Sequence, residues 1–575
     1  MIINSRNELP VYDHQLEARP SELLTGPIQP VLLLAEQVIA NDAKTLAHFT
    51  IQDRTTREEI INHRLAAALL RTDIDAVKAV ASELRAIQDR GDRKLTMGLV
   101  EEIAVEALVS NDPAATAARL AEARLSLLPY NTVDAWMKGE RATLATANPD
   151  LVLGQVRATL DPVAEKNGGL VDQQTAAAVV AARVARDRLY PVAPQIAAAL
   201  AQIIDANSTG STTDIWATRQ VTLDESLDVK PITIAIWDSG VDMNLFTPAT
   251  DPGMAIDGEG HAVPDLLRPT QGYTERLPEL LELAKGLFDL RAGQMTPAAV
   301  AYQSKAAALK PEEVKEFSEA LGFMFNYLHG THVAGIAAAG NPFARIQAVS
   351  MHFPHRQEDM KLDRAISERR AAFYREAIKR MQAAGTRVVN MSWRLGPAFF
   401  ESILATQGGT ADAIERKQLA AELFAIEKSA LENSIRAAPD ILFVAGAGNE
   451  GNDASFSDYI PAGLSIPNLI TVGAVDRAGR EAIFTSVGGT VAIYANGVEI
   501  EAVVPGGQRH AFSGTSMASP QVANAAAKLA VMRPELSGAQ LRQLLIDTAT
   551  TEGRVKLLNP RAAFAKARIK AALPR

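Results

Sequence analysis

The stretch FSGTSMASPQVANAAAKLAVM, residues 512–532, joins a Gly/Thr/Ser turn to an alanine-rich run that reads as a helix. Ser516 stands at the mouth of that helix, and Pro520 follows early enough to be tolerated within it. A serine in this position has two uses. Its hydroxyl can cap the free N–H groups of the first turn, or it can attack a carbonyl once a base removes its proton, with the helix N-terminus favouring the negative charge that develops. Taken alone, capping is the commoner use, so the reading of Ser516 depends on what the rest of the chain places beside it.

Working outward, short β-branched runs alternate with helical stretches. The runs are ITIAIW (232–237), ARIQAVSMHF (344–353), TRVVNMSW (386–393), ILFVAGAG (441–448) and LITVGAV (469–475), with helices expected over 364–384 and 410–438. Nearly continuous apolar strands separated by helices indicate an α/β fold with a parallel sheet covered on both faces, whose active sites lie at the carboxyl ends of strands. ITIAIWDSGVD closes one such strand on Asp238, in isolation a turn or capping residue. YLHGTHVAGIAAAG places His329 at the expected start of a small-residue helix. His332 follows three positions on, but no third ligand stands at helical spacing, so a metal pair is not favoured and His332 reads as a hydrogen-bonded structural histidine. FVAGAGNEG ends a third strand with Asn449 in a Gly/Asn turn.

With DSGVD, HGTHVAG and GTSMASP in that order, the chain resembles the subtilisin-like serine peptidases (subtilases) over roughly residues 225–565. The resemblance implies a serine endopeptidase that works through an acyl-enzyme, with Ser516 as nucleophile, His329 as general base and then acid, and Asp238 orienting the imidazole. It implies Asn449 as the oxyanion donor, and substrate contacts along Ser392, Trp393 and Arg394 and along Gly446, Ala447 and Gly448. Protein or peptide substrates follow, with no cofactor and no metal, because the calcium loop many relatives carry after HVAGIAAAG has no counterpart here. The chain also departs from the family. Asp238 and His329 are 91 positions apart, with helical patterns between them. Trp393-Arg394-Leu395 stands where Leu-Gly-Gly or something close is usual, and Gln521 and Asn524 replace a histidine and a glycine. These departures keep two alternatives open: a catalytically restrained scaffold on the same fold, and a processing enzyme whose acyl intermediate is resolved by an amine to give ligation.

The N-terminal half differs in kind. From about 30 to 206, apolar residues recur at three- and four-residue spacing, which predicts an all-helical domain over 1–204. DANSTGSTTD (205–214) reads as a connector within a linker 205–224, followed by the peptidase-like domain 225–575 with a helical insertion around 243–327. The helical half suits a regulatory, autoinhibitory or partner-binding role, or a plain scaffold. The 575 residues include no cysteine, which excludes disulfides, thiolate metal sites and a cysteine nucleophile. A net charge of −9 without a long basic run argues against general nucleic-acid binding. The polar, acidic N-terminus lacks the pattern of a signal peptide, and PVLLLAEQVIA (30–40) is too short and too interrupted to span a membrane, so a cytoplasmic location is expected.

Overall fold

The β-branched runs after residue 225 line up in a single sheet of ten strands. In a computed structural model, which describes residues 1–207, 213–270, 272–291, 294–410 and 412–569, the strands form a row that starts with Thr550–Glu552, Val555–Leu557, Val491–Asn496, Leu469–Val475 and Leu442–Gly446. The row continues through Thr386–Met391, Ile232–Asp238, Ala344–Met351 and Pro248–Ile256 to Ala262–Val263. Neighbours pair in parallel except at the two margins. Every residue of Leu442–Gly446 and Leu469–Val475 is buried, which requires cover on both faces of the sheet. The α/β fold expected from the sequence is the one found. Within the connector 205–214, residues 208–212 lie outside the described residues.

Ile232–Asp238 sits where the strand order reverses. Ala344–Met351 flanks it on one side, and Thr386–Met391 and its successors extend from the other. Such a reversal opens a crevice at the carboxyl ends of the strands, and Asp238 is the last residue of this one.

Pro248–Ile256 is a strand the sequence hides, because Pro248, Pro252 and Gly253 argue against one. The sheet accommodates them by shifting register between Pro248 and Gly253. Gly253 has φ +130°, and a Cβ there would lie 1.7 Å from the Ala348 carbonyl oxygen. The acidic residues Asp251, within this strand, and Asp257, just after it, serve local structure. Asp251 binds Arg380 at 2.8 and 2.5 Å, and Asp257 accepts from the Glu259 and His261 N–H groups, both at 2.9 Å.

The expectation that His329 opens its helix is corrected: the helix runs Val314–Ala338, with His329 well inside it. The preceding VKEFSEALGFMFNYL is proline-free and rich in helix formers, so nothing halts the helix before His-Gly-Thr-His.

The chain divides into two compact units: residues 1–211 with 282–319 and 404–418, and residues 212–281 with 320–403 and 419–575. The sheet belongs to the second. The first is mostly helical, including Gln29–His48, Arg54–Arg71, Pro149–Lys166 and Ala193–Asn207, with Asp53, Asp73, Asp112, Asn148 and Asp172 capping helices through their side chains. It is not purely helical, since Ile2–Ile3 pairs with Thr50–Ile51 and Asp13–Gln15 with Leu170–Asp172. Residues 282–319, read from sequence as part of the insertion in the catalytic half, are built into this first unit. Leu290 and Ala299 bury themselves against Ala142, and Asn148 Nδ2 donates to the Ala306 carbonyl at 3.0 Å. The apolar faces of these helices find their cover here.

Candidate active site

Two turns place Asp238 and His329 together. Gly330 lies so close to the Asp238 turn that a Cβ would come within 2.3 Å of the Gly240 carbonyl oxygen. A mid-helix glycine costs about 1 kcal/mol relative to alanine, and this close approach is what requires it. Thr331 Oγ1 accepts from the Asp242 N–H at 3.0 Å and ties the same turns a second time. The result is a 2.7 Å hydrogen bond from His329 Nδ1 to Asp238 Oδ1. A carboxylate only accepts, so Nδ1 carries the proton and the Nε2 lone pair is free. Asp238 is 1% exposed, and its Oδ1 also accepts from the Ser239 N–H at 2.7 Å. Burial disfavours the charged imidazole, but the charge of Asp238 and its hydrogen bond outweigh it, and His329 is held above the ordinary 6.5.

Ser516 comes from the other side of the crevice, on the helix Thr515–Met532. Gly514, not a serine, occupies the capping position. Pro520 has no N–H to give the Ser516 carbonyl four residues back, and the Ser392 hydroxyl supplies the missing donor at 3.2 Å. That hydroxyl is itself held by Asn390 Nδ2 at 2.8 Å and lies 3.0 Å from Ser519 Oγ. Ser516 Oγ donates to the Ser392 carbonyl at 3.4 Å, and among the described residues no hydrogen bond joins it to His329. The structure therefore joins Asp238 to His329 and Ser516 to Ser392, and leaves His329 Nε2 unpartnered among the described residues.

Asn449 follows the strand Leu442–Gly446. Its Oδ1 accepts from the Thr515 N–H at 2.9 Å and is 3.1 Å from Thr515 Oγ1. Because a backbone N–H can only donate, this fixes which end of the amide is oxygen and leaves Nδ2 as a donor. The Ser516 N–H, second in its helix, has no backbone partner among the described residues.

Of the substrate-contact residues read from sequence, Trp393 has a buried ring, so only its backbone remains available to a substrate. Its side chain is 7% exposed and packs 5.7 Å from Trp237 and 6.0 Å from Tyr374, ring centre to ring centre. Side chains alternate along an extended segment, so Ser392 and Arg394 face away from the side that Trp393 and Leu395 bury. Gly446, Ala447 and Gly448 are all buried, Gly446 against Thr515 and Gly448 with its N–H bonded to Thr515 Oγ1 at 3.1 Å. Sequence reasoning missed the supports: Gly330, Thr331, Asn390, Thr515 and Ser519. The noted departure Asn524 has a definite use. Its Nδ2 donates to the Ala337 and Ala339 carbonyls at 2.9 and 2.8 Å, clamping the end of the His329 helix to the Ser516 helix. Among the described residues there is no cluster of three or more His, Asp or Glu side chains suited to a metal, and no helix long and apolar enough to cross a membrane.

Residues 229–562 match the Subtilase family model. The chain is similar to subtilisin NAT of Bacillus subtilis subsp. natto, 44% identical over 114 residues that cover 20% of this chain and 29% of that protein. It is similar to subtilisin DY of Bacillus licheniformis, 31% identical over 228 residues that cover 39% of this chain and 71% of that protein. Among solved structures it is similar to the self-cleaved protease domain of PatA, with a TM-score of 0.34 and 23% identity over 60% of this chain and 98% of that one. The matched stretch thus spans 29% of subtilisin NAT and 41% of the similar Bacillus pumilus subtilisin.

Proposed function

Because the chain belongs to the subtilase family, we propose that it is a serine endopeptidase that hydrolyses peptide bonds in protein or peptide substrates, with Asp238, His329 and Ser516 as its triad. The observation that carries this reading is the 2.7 Å bond from His329 Nδ1 to a buried carboxylate at the reversal point of the sheet, with no hydrogen-bond partner for Nε2 among the described residues. In this reading Ser516 Oγ leaves the Ser392 carbonyl, turns to His329 Nε2 and attacks the substrate carbonyl carbon as Nε2 takes its proton. Asp238 stabilises the imidazolium. The oxygen of the tetrahedral intermediate receives hydrogen bonds from Asn449 Nδ2 and the Ser516 N–H, and loss of one such donor costs about 10²- to 10³-fold in rate. The imidazolium returns the proton to the departing amine, leaving an acyl-Ser516 ester. Water, deprotonated by His329, then releases the acid.

The test is labelling with an alkyl fluorophosphonate, located by peptide mass spectrometry, on the full chain and on proteolytically trimmed material. Ser516 should be modified in the wild type and the label should vanish in Ser516→Ala. An unlabelled Ser516 in both preparations rules the reading out.

A further inference from the structure

The wall formed by Gly446, Ala447 and Gly448, beside the proposed nucleophile, is covered by the protein's own side chains. A Cβ at Gly448 would lie 2.8 Å from Glu450 Oε2, 3.1 Å from Ser486 Oγ and 3.5 Å from Arg394 Cδ. Arg394 forms an ion pair with Glu450, and its guanidinium carbon lies 5.3 Å from the centre of the Tyr459 ring. That ring lies against Gly396, where a Cβ would be 2.6 Å from Tyr459 Cδ1. The Tyr459 hydroxyl accepts from Asn452 Nδ2 at 3.0 Å, and Asn452 Oδ1 accepts from Ser486 Oγ at 2.8 Å. The segment that carries Arg394 is itself fixed, because Leu395 and Ile460 exchange N–H···O bonds of 3.0 and 2.9 Å. Arg394, Glu450, Tyr459 and Ser486 therefore form a connected plug between the two segments that the family resemblance gives to the substrate.

The geometry points to this plug as the determinant of cleavage specificity: the residue whose carbonyl is attacked must carry a small, uncharged side chain, as glycine, alanine and serine do. The inference rests on the serine-peptidase reading of Ser516. A bulky side chain entering beside Gly448 has to part Arg394 from Glu450 and lift the guanidinium off the Tyr459 ring. Glu450 cannot move without consequence, since its Oε2 also accepts from the Asn449 N–H at 3.0 Å and so supports the residue proposed to hold the oxyanion. A charged side chain meets a like charge from one member of the pair. A small side chain disturbs none of these contacts.

Three irreversible probes on the full-length protein test this. One is an alkyl fluorophosphonate with no peptide portion. The other two are peptidyl diphenyl phosphonates, identical except for an alanine or a phenylalanine side chain next to phosphorus. With labelling rates normalised to the fluorophosphonate, the alanine probe should react at least about 10-fold faster than the phenylalanine probe, since even single methylenes in a fitted pocket are worth about 10- to 200-fold. Tyr459→Gly should shrink or invert that ratio. Arg394→Ala, at an exposed position that leaves the backbone undisturbed, should shrink it as well. A wild type that reacts with the phenylalanine probe as fast as with the alanine probe overturns the inference, as does a ratio unchanged in both variants. Absence of fluorophosphonate labelling strikes the peptidase reading, and this inference with it, a result that no pattern of side-chain preference can imitate.

Discussion

His329 and His332 stand three residues apart on one helix, and their surroundings set them opposite tasks. His329 meets a carboxylate, is partly exposed with 29% of its side chain accessible, and is held above its ordinary value. His332 is 0% exposed, donates through Nε2 to the His510 carbonyl at 2.9 Å and lies 4.5 Å from the Phe512 ring, centre to centre. Burial pushes it down to about 4, against the opposing hydrogen bond to the His510 carbonyl and with the nearby His329 charge adding to the effect. Burial acts against the charged form in both. Only a carboxylate on the helix's next-door turn reverses the outcome, so helical proximity alone says nothing of a histidine's chemistry.

The largest test of that contrast is removal of each ring. His329→Ala should lose about 10⁶-fold in kcat with little change in stability if the proposed triad acts as a unit. His332→Ala should instead destabilise the fold by about 2–4 kcal/mol, through the cavity and the orphaned carbonyl. Peptidase assays beside denaturant unfolding of both variants check this, and a His329→Ala protein with a few per cent of wild-type activity would break the comparison. Next in size, Asp238→Asn should cost about 10⁴-fold in kcat at neutral pH. It removes the charge that raises His329, so the acid limb of kcat/KM should move to lower pH in the residual activity, and an unmoved limb would detach Asp238 from the titration.

The smallest effect is on stability, and its sign differs between the two rings. For His332 the folded value lies below the unfolded 6.5, so its contribution is fully present above pH 6.5 and is lost as pH falls towards about 4. At about 1.4 kcal/mol per pH unit, the loss is of order 3 kcal/mol. For His329 the folded value is raised, so its contribution is present below 6.5 and is lost as pH rises through the raised value. Unfolding midpoints between pH 4 and 7 should fall in acid for the wild type and fall less steeply for His332→Gln. Parallel slopes would refute the assignment.

Legibility followed the range of the interactions. Strands such as Ile232–Asp238 and Leu469–Val475 were readable because burial on both faces writes an unbroken apolar run into the sequence. Pro248–Ile256 was not, because its exceptions to strand composition are excused only by a partner nearly a hundred positions away, at Ala348. The start of the His329 helix was misplaced because a small-residue motif looked like a beginning, whereas helix formers upstream carry the ladder through it. The candidate site was readable as motifs because each is a short contiguous run of distinctive residues: DSGVD, HGTHVAG and GTSMASP.

By itself, the sequence determined the α/β class, the helical character of the N-terminal half and the family, all of which rest on local periodicity and contiguous motifs. It also determined which side chains are available for nucleophilic chemistry. Tertiary structure decided what each side chain meets. It put a carboxylate on His329 and a carbonyl on His332, gave the Ser516 carbonyl a donor that Pro520 withholds, and turned Trp393 inward. It brought Arg394, Glu450 and Tyr459 into one plug, with Arg394 and Glu450 separated by 56 positions in the chain. Hydrogen bonds, ion pairs and burial depend on distances of a few ångströms between segments far apart in sequence, and only the folded sheet and its helices set those distances.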